Sequence, residues 1–288
     1  AHALYSLLGL DDLPPYEIEQ ASSDGLEFAQ TADDRDLVDL IGAGGPSTVE
    51  FFLRFMPGVA AFHRGDLPTA IERLEAVFAM DAMQYPVWKV YSLGMLGLAR
   101  AWFGDLDVGE SLALRSIELA QHSSIGKHVA LAYPRHALAL IALDRLDHAT
   151  AAEHLRSAGV AVEQSNRVAL RATHRWLDAV RTTLAEGSPK ALATLAATPP
   201  PALAPPVVVA ADRDLQIRLR IATGNLLAAG DIIAGAPSIS QGARFDFALA
   251  SGHLVEARAV IDSWTSPAGD RRGALGLLAI LPVLAVPV

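Results

Sequence analysis

Histidines, lysines, serines and glycines at motif-like spacings are the residues to examine first for chemistry. The nine histidines form no His-Glu-x-x-His motif, and His148 and His154 stand six residues apart, on different faces of a helix. Ser124 and Lys127 match the Ser-x-x-Lys pattern of penicillin-recognising enzymes, but the companion Lys-Thr-Gly is absent from the sequence. The glycine run before Pro46 lacks the Gly-Lys-Ser/Thr ending that binds phosphates. We therefore predict no catalytic residue, no metal site, no cofactor and no enzyme activity.

Aromatic and histidine side chains that recur along the chain are the remaining candidates for a site. Phe52, Tyr91 and Tyr133 are spaced 39 and 42 residues apart, at the same place in three internal repeats. An aromatic ladder suits stacking against a sugar ring or an apolar small molecule, and histidines supply hydrogen bonds. The predicted ligand-binding residues are Phe52, Phe55, His63, Tyr91, Trp102, Tyr133 and His136. Packing between repeats is the alternative explanation for side chains at helical spacing.

These side chains are positioned by a repeated unit of helix, tight turn and helix. The predicted turns are centred on Gly65, Gly104, Leu146, Gly224 and Gly252. Five residues after each turn stands a small residue that lets the second helix approach the first, namely Ala70, Gly109, Ala151, Ala229 or Ala257. A turn glycine ends the first helix in a left-handed conformation. Leu146 departs from this pattern. We therefore expect the turn at Leu146 to be looser, or the register of this repeat to differ by one or two residues.

The repeats predict an all-α fold, a tetratricopeptide-like right-handed superhelix of antiparallel helical hairpins. The predicted segments are an N-terminal helical segment and loop at 1–46, repeats and following helices at 47–197, a proline-rich connector at 198–206 and a second repeat segment at 207–288. Five prolines in the connector remove the backbone donors that a helix or a central strand needs. The run Val-Val-Val-Ala after it is predicted to be a helix start or loop, because an isolated strand has no pairing partner.

Composition narrows the possible partners and the compartment. The net charge of −9, with only three lysines, argues against a phosphate-binding surface, so we expect no direct nucleic-acid contact. The absence of cysteine excludes disulfides and fits a cytoplasmic protein. The apolar stretch 274–288 contains two prolines and is shorter than the ~20 residues that span a bilayer, so we expect a packing helix and tail without membrane insertion. The first residues lack a signal-peptide pattern, and we expect a piece of a longer chain.

Residues 88–119, WKVYSLGMLGLARAWFGDLDVGESLALRSIEL, resemble the helical-repeat domain of the large MalT-like transcriptional regulators of the LuxR family. Two later segments are similar to further repeats of that domain, namely HALALIALDRLDHATAAEHLRSA at 136–158 and ARFDFALASGHLVEARAVI at 243–261. The resemblance therefore covers roughly residues 47–288. In that family an ATPase precedes the repeats and a helix-turn-helix reader of DNA follows them, while the repeats sense a small inducer or a regulatory protein. The resemblance thus implies a sensor domain without its ATPase and DNA-binding neighbours.

Two functions are compatible with these observations, and the oligomeric state is open. The first is a ligand-sensing module of a bacterial transcription regulator, and the second is an interaction scaffold that grips a peptide or partner domain. An enclosed pocket with converging polar groups would favour the small molecule. An open groove with a charged rim would favour the peptide.

Overall fold

The computed structural model describes residues 14–31, 45–80, 85–123, 125–126, 128–165, 167–201, 203–236 and 239–263. They form thirteen α-helices, two short 3-10 helices at Val77–Ala79 and Val129–Leu131, and no strand, so the all-α class is confirmed. The first seven α-helices are α1 (Pro15–Thr31), α2 (Gly45–Arg64), α3 (Leu67–Ala76), α4 (Pro86–Phe103), α5 (Leu106–His122), α6 (Ala132–Asp144) and α7 (His148–Gln164). The remaining six are α8 (Val168–Glu186), α9 (Ser188–Ala197), α10 (Pro206–Ala222), α11 (Leu226–Gly235), α12 (Gln241–Ala250) and α13 (Leu254–Ser263).

A left-handed backbone conformation occurs at all five predicted turns, including the one without glycine. Positive φ angles occur at Gly65 (89°), Gly104 (102°), Leu146 (61°), Gly224 (76°) and Gly252 (75°). Leu146 therefore occupies the glycine position of its repeat, and the shift of register that its side chain suggested does not occur. A left-handed conformation costs a residue with a Cβ atom roughly 1–2 kcal/mol, so the α6–α7 turn stores strain that the other four turns avoid.

Side-chain caps begin three of the second helices. Asp66, Asp147 and Asn225 each accept a hydrogen bond from the backbone N–H three residues later, at 3.4, 3.0 and 3.2 Å. Each bond satisfies one of the amide donors that a helix N-terminus leaves unpaired. Asp105, at the same place in the second repeat, instead accepts a 2.8 Å hydrogen bond from Arg100.

Small residues bring the two helices of each hairpin together as predicted. Ala70, Ala151, Ala229 and Ala257 are at most 3% exposed, and Gly109 is buried as well. A Cβ atom added at Gly109 would lie 2.9 Å from the backbone nitrogen of Ala101 on the facing helix. At that distance α4 and α5 must separate to admit any side chain.

The first helices of successive hairpins, α2, α4, α6, α8 and α10, form an inner row. Each contacts the next, and α10 also contacts α2, so the row closes on itself. The closed row encloses one continuous apolar core that includes residues from Phe51 to Leu219, and α1 adds Ile18 to it. A smaller cluster around Ile217 and Ile221 joins α10 to α11 and α12.

The described residues of 198–205 carry no helix, and α10 begins at Pro206 and includes the Val-Val-Val-Ala run. A buried arginine holds this connector in place. Arg175 of α8 forms an ion pair with Asp212 of α10, and the two side chains are 8% and 3% exposed. Arg175 also donates a 3.0 Å hydrogen bond to the carbonyl of Leu195. One side chain thus ties together the elements on either side of the prolines.

Several sequence predictions lie outside the described residues. These are the expectations for Ser124, Lys127, the glycine run 42–44 and the apolar stretch 274–288. No helix in the part of the chain that the structure describes is long and apolar enough to cross a membrane.

Candidate functional site

The seven predicted ligand-binding residues all lie in the enclosed core. Their exposed fractions are 5% for Phe52, His63, Tyr91 and Trp102, 3% for Tyr133, and 0% for Phe55 and His136. The prediction assumed that the first helices would line an open concave face. Because α10 packs against α2, the face that carries these residues is covered. Their placement matches packing between repeats, and a ligand-binding role for them stays a prediction.

Of the predicted row Phe52, Tyr91 and Tyr133, the structure brings Tyr91 and Tyr133 together, and it places Phe55 beside Tyr91 and Phe52 beside Trp88. The ring centroids of Phe55 and Tyr91 lie 5.8 Å apart, and those of Tyr91 and Tyr133 lie 5.2 Å apart. Phe52 packs edge-to-face at 4.6 Å against Trp88. The guanidinium of Arg167 covers the Tyr91 ring at 5.3 Å from its centroid. These separations are those of packed aromatic pairs, so the rings occupy the space that a stacked ligand would need.

A second aromatic group crosses the inside of the closed row. Phe62 of α2 contacts Trp102 of α4 with ring centroids 5.5 Å apart, and Trp102 contacts Trp176 of α8 at 4.8 Å. Trp102 was predicted from the sequence, whereas Phe62 and Trp176 were missed. Phe62 directly precedes the predicted His63, whereas Trp176 lies outside the repeats, so no repeat position marked it.

Two of the predicted histidines are buried in the uncharged form. Burial lowers the pKa of His63 to about 4. His136 hydrogen-bonds His174 of α8, with 3.2 Å between His136 Nε2 and His174 Nδ1. Burial first, and the neighbouring His174 second, hold the pKa of His136 well below its usual value. Burial also lowers the pKa of His174, although Asp178 and Glu163 act in the opposite direction.

Among the buried polar atoms without a hydrogen-bond partner in the described part of the chain, three belong to side chains of the aromatic and histidine contacts above. They are the Tyr91 hydroxyl on α4, His136 Nδ1 on α6 and Trp176 Nε1 on α8. Buried polar groups in native proteins are nearly always hydrogen-bonded to protein or to ordered water. Each of these atoms therefore either binds a small polar molecule or destabilises the folded state.

An open groove lies at the N-terminal end of the molecule, between α1, α2 and α3. It has a volume of about 1050 Å³. We call it the N-terminal groove. Its lining residues are Tyr16, Glu19, Gln20, Ser23 and Leu26 from α1, Glu50, Leu53, Arg54 and Pro57 from α2, and Arg73, Ala76, Ala79 and Met80 from α3 and the turn after it.

Ion pairs form the rim of the N-terminal groove. Glu19 binds Arg73 with 2.6 Å between Oε1 and Nη1, and it also binds Arg64. Burial alone would raise the pKa of Glu19, but hydrogen bonds from both arginines outweigh burial and the pKa is lowered. Glu50 and Arg54 form a second pair at 2.8 Å on α2. Of the charged residues that line the groove, Glu19 and Glu50 are negative and Arg54 and Arg73 are positive, so the lining carries no net charge.

Comparison with protein-family models, curated proteins and solved structures gave no match. Within the described ranges, no group of three or more metal-binding side chains comes together. The N-terminal groove and the buried polar atoms are therefore the features from which a function can be argued.

The N-terminal groove was not predicted from the sequence. Its α1 residues, from Tyr16 to Leu26, follow the i, i+3, i+4, i+7 pattern of one helix face. That pattern is visible in the sequence, but it does not show whether the face is covered. Only the arrangement of three helices leaves the space open.

Proposed function

We propose that this chain is a partner-binding helical-repeat module, and that the N-terminal groove receives the partner. The observation that carries the proposal is an open groove of about 1050 Å³ with a charged rim. Small-molecule pockets occupy about 300–1,000 Å³ and enclose most of their ligand. An open groove at the upper limit of that range suits a segment of polypeptide better than a metabolite.

The finer architecture belongs to the same proposal. A tetratricopeptide-like right-handed superhelix is supported by five turns with positive φ and by buried small residues five positions later. A role in a cytoplasmic MalT-like regulator of the LuxR family is supported by the resemblance at residues 88–119. The net charge of −9 favours a protein partner over direct contact with nucleic acid.

A peptide-display selection tests partner binding even though the partner is unidentified. The chain is used as bait, and the Ala76→Arg variant serves as competitor because Ala76 lines the N-terminal groove and is exposed. We expect peptides that bind the unmodified chain and bind the variant about tenfold less tightly or worse. A selection that yields no binder, or only binders insensitive to the variant, would refute the proposed groove.

Ligand sensing is the second candidate function, and a separate observation favours it. The unpaired atoms of Tyr91, His136 and Trp176 lie on three neighbouring inner helices. A small polar molecule bound inside the closed row would satisfy such atoms. Thermal melts against sugars, lipids and aromatic metabolites test this, since a ligand that binds the native state raises the midpoint with concentration. A flat response across the panel would count against sensing and leave partner binding as the function.

A further inference from the structure

Three helical stripes face the N-terminal groove. On α1 the stripe runs from Tyr16 to Leu26, and on α2 it runs from Glu50 to Pro57. The third stripe runs from Arg73 to Met80 along α3 and the 3-10 turn. Each stripe follows the three- and four-residue steps by which a helix presents one face to a neighbouring helix. The groove therefore has the form of a four-helix arrangement with one position open.

The dimensions of the groove suit a helix. At 1.5 Å per residue, the ten-residue span of the α1 stripe is about 15 Å long, or nearly three helical turns. Ala76 and Ala79 line the groove and are exposed. Small side chains at a contact permit the interaxial distances of about 8–10 Å at which helices pack.

An extended peptide fits this surface less well than a helix does. The described residues form no strand, so they offer no sheet edge to which a peptide strand could be added. Part of the lining is apolar, formed by Leu53, Pro57 and Met80 together with the two alanines. An extended backbone on such a surface leaves its N–H and C=O groups without partners, whereas a helix satisfies them internally.

The charged residues that line the groove, two glutamates and two arginines, carry no net charge and are already paired. Glu19 is held by Arg64 and Arg73, and Glu50 by Arg54. A strongly acidic or strongly basic partner would have to displace these pairs without a net attraction toward the groove. The matching partner has an apolar face and little net charge on the turns that enter the groove.

We propose that the occupant of the N-terminal groove is an amphipathic α-helix of about three turns, supplied by a partner protein, with an apolar face and near-neutral flanks. This inference rests on the proposed function and specifies the partner for the same groove. The helix packs against all three stripes and completes the four-helix arrangement. Its apolar residues are expected at i, i+3, i+4 and i+7.

The display library tests this inference when its random peptides are long enough for about four helical turns. We expect the enriched sequences to carry apolar residues at helical spacing. Synthetic copies should gain helical circular dichroism on binding. Their affinity should change by less than about threefold on adding moderate salt, because balanced and paired rim charges attract little counter-charge.

Matched variants separate the groove from general stability. Ala76→Arg and Ala79→Arg should each weaken binding by about tenfold or more, because both place a long charged side chain in the groove. Ala193 of α9 is an exposed helical alanine outside the groove, so Ala193→Arg should leave the affinity unchanged. Urea denaturation of all three variants should show unfolding free energies close to that of the unmodified chain.

The outcomes distinguish this inference from the proposed function. Groove-dependent binders with a Pro-rich or alternating pattern, or binders that gain no helicity, would overturn the helical occupant and leave partner binding intact. No groove-dependent binder at all would overturn both. A segment outside α1, α2 and α3 whose amides are protected in the free chain and exchange faster when peptide binds would show that the chain itself covers the groove and would also overturn the inference.

Discussion

Replacing Tyr91 by phenylalanine removes one oxygen atom from the core and should stabilise the protein. Tyr91 is 5% exposed, and its hydroxyl has no hydrogen-bond partner among the described residues. A buried polar group left unpaired costs about 1–3 kcal/mol. The ring contacts with Phe55, Tyr133 and Arg167 do not require the hydroxyl. We expect Tyr91→Phe to raise the unfolding free energy by about 1 kcal/mol, the low end of that range.

Truncation to alanine should have the opposite effect on the same measurement. Tyr91→Ala removes the whole ring from a packed row, and such deletions cost about 3–5 kcal/mol. Tyr85, which is 41% exposed, provides the control. Because a hydroxyl at the surface is solvated by water, Tyr85→Phe should change the unfolding free energy by less than about 0.5 kcal/mol.

Urea denaturation followed by circular dichroism measures these differences, provided that the slope with urea is the same for all variants. A loss of about 1 kcal/mol or more in Tyr91→Phe would refute the reasoning. That result would mean that the hydroxyl has a partner in solution, such as a buried water or a small ligand. It would also strengthen ligand sensing relative to partner binding.

Three further predictions concern the backbone and the histidines. Leu146→Gly should raise the unfolding free energy by about 1 kcal/mol, because glycine adopts the positive φ at this turn without strain, and a loss in urea denaturation would contradict this. Gly109→Ala should cost about 1–3 kcal/mol by forcing α4 and α5 apart, whereas Gly235→Ala, whose added Cβ meets no atom within 4 Å, should be neutral or slightly stabilising. The unfolding free energy should fall as the pH drops below about 6.5. In the unfolded chain His63 binds a proton in this range, whereas in the folded protein its pKa is about 4 and it stays unprotonated. Between pH 6.5 and 5 this group alone accounts for on the order of 2 kcal/mol, and His63→Leu should flatten the pH profile by that amount.

The repeated unit was predictable because it depends on local backbone requirements. Turns with positive φ favour glycine, and a small residue five positions later allows close helix packing. These two marks located five hairpins, including the one where Leu146 replaces glycine. The Asp66 and Asp147 caps depend on the same kind of local requirement, whereas Asp105 binds Arg100 because that guanidinium lies within reach.

The surroundings of the aromatic row were not predictable from spacing. Spacing placed Tyr91 and Tyr133 next to each other, and the structure confirms that neighbourhood with a 5.2 Å ring separation. Whether the shared face is open or covered depends on contacts between helices far apart in sequence. The contact of α10 with α2, more than a hundred residues away in the chain, closes the inner row. No local pattern in either helix encodes that contact.

The N-terminal groove was missed for a related reason. The α1 stripe from Tyr16 to Leu26 predicts only that this face of the helix packs against another element or a partner. Glu19 joins α1 to Arg64 and Arg73, and these partners stand 45 and 54 residues away. Ion pairs at such separations carry no periodicity, so the open space between the three helices is a purely tertiary feature.

Hydrogen exchange on the complex tests the partner-binding groove most directly. The chain is bound to a selected peptide, and backbone amide exchange is compared with that of the free chain. We expect new protection on the groove-facing stripes of α1, α2 and α3, and none on α12 and α13 at the opposite end of the array. Protection confined to the inner helices around Tyr91 and His136, or to α12 and α13, would contradict a partner-binding groove at the N-terminal end.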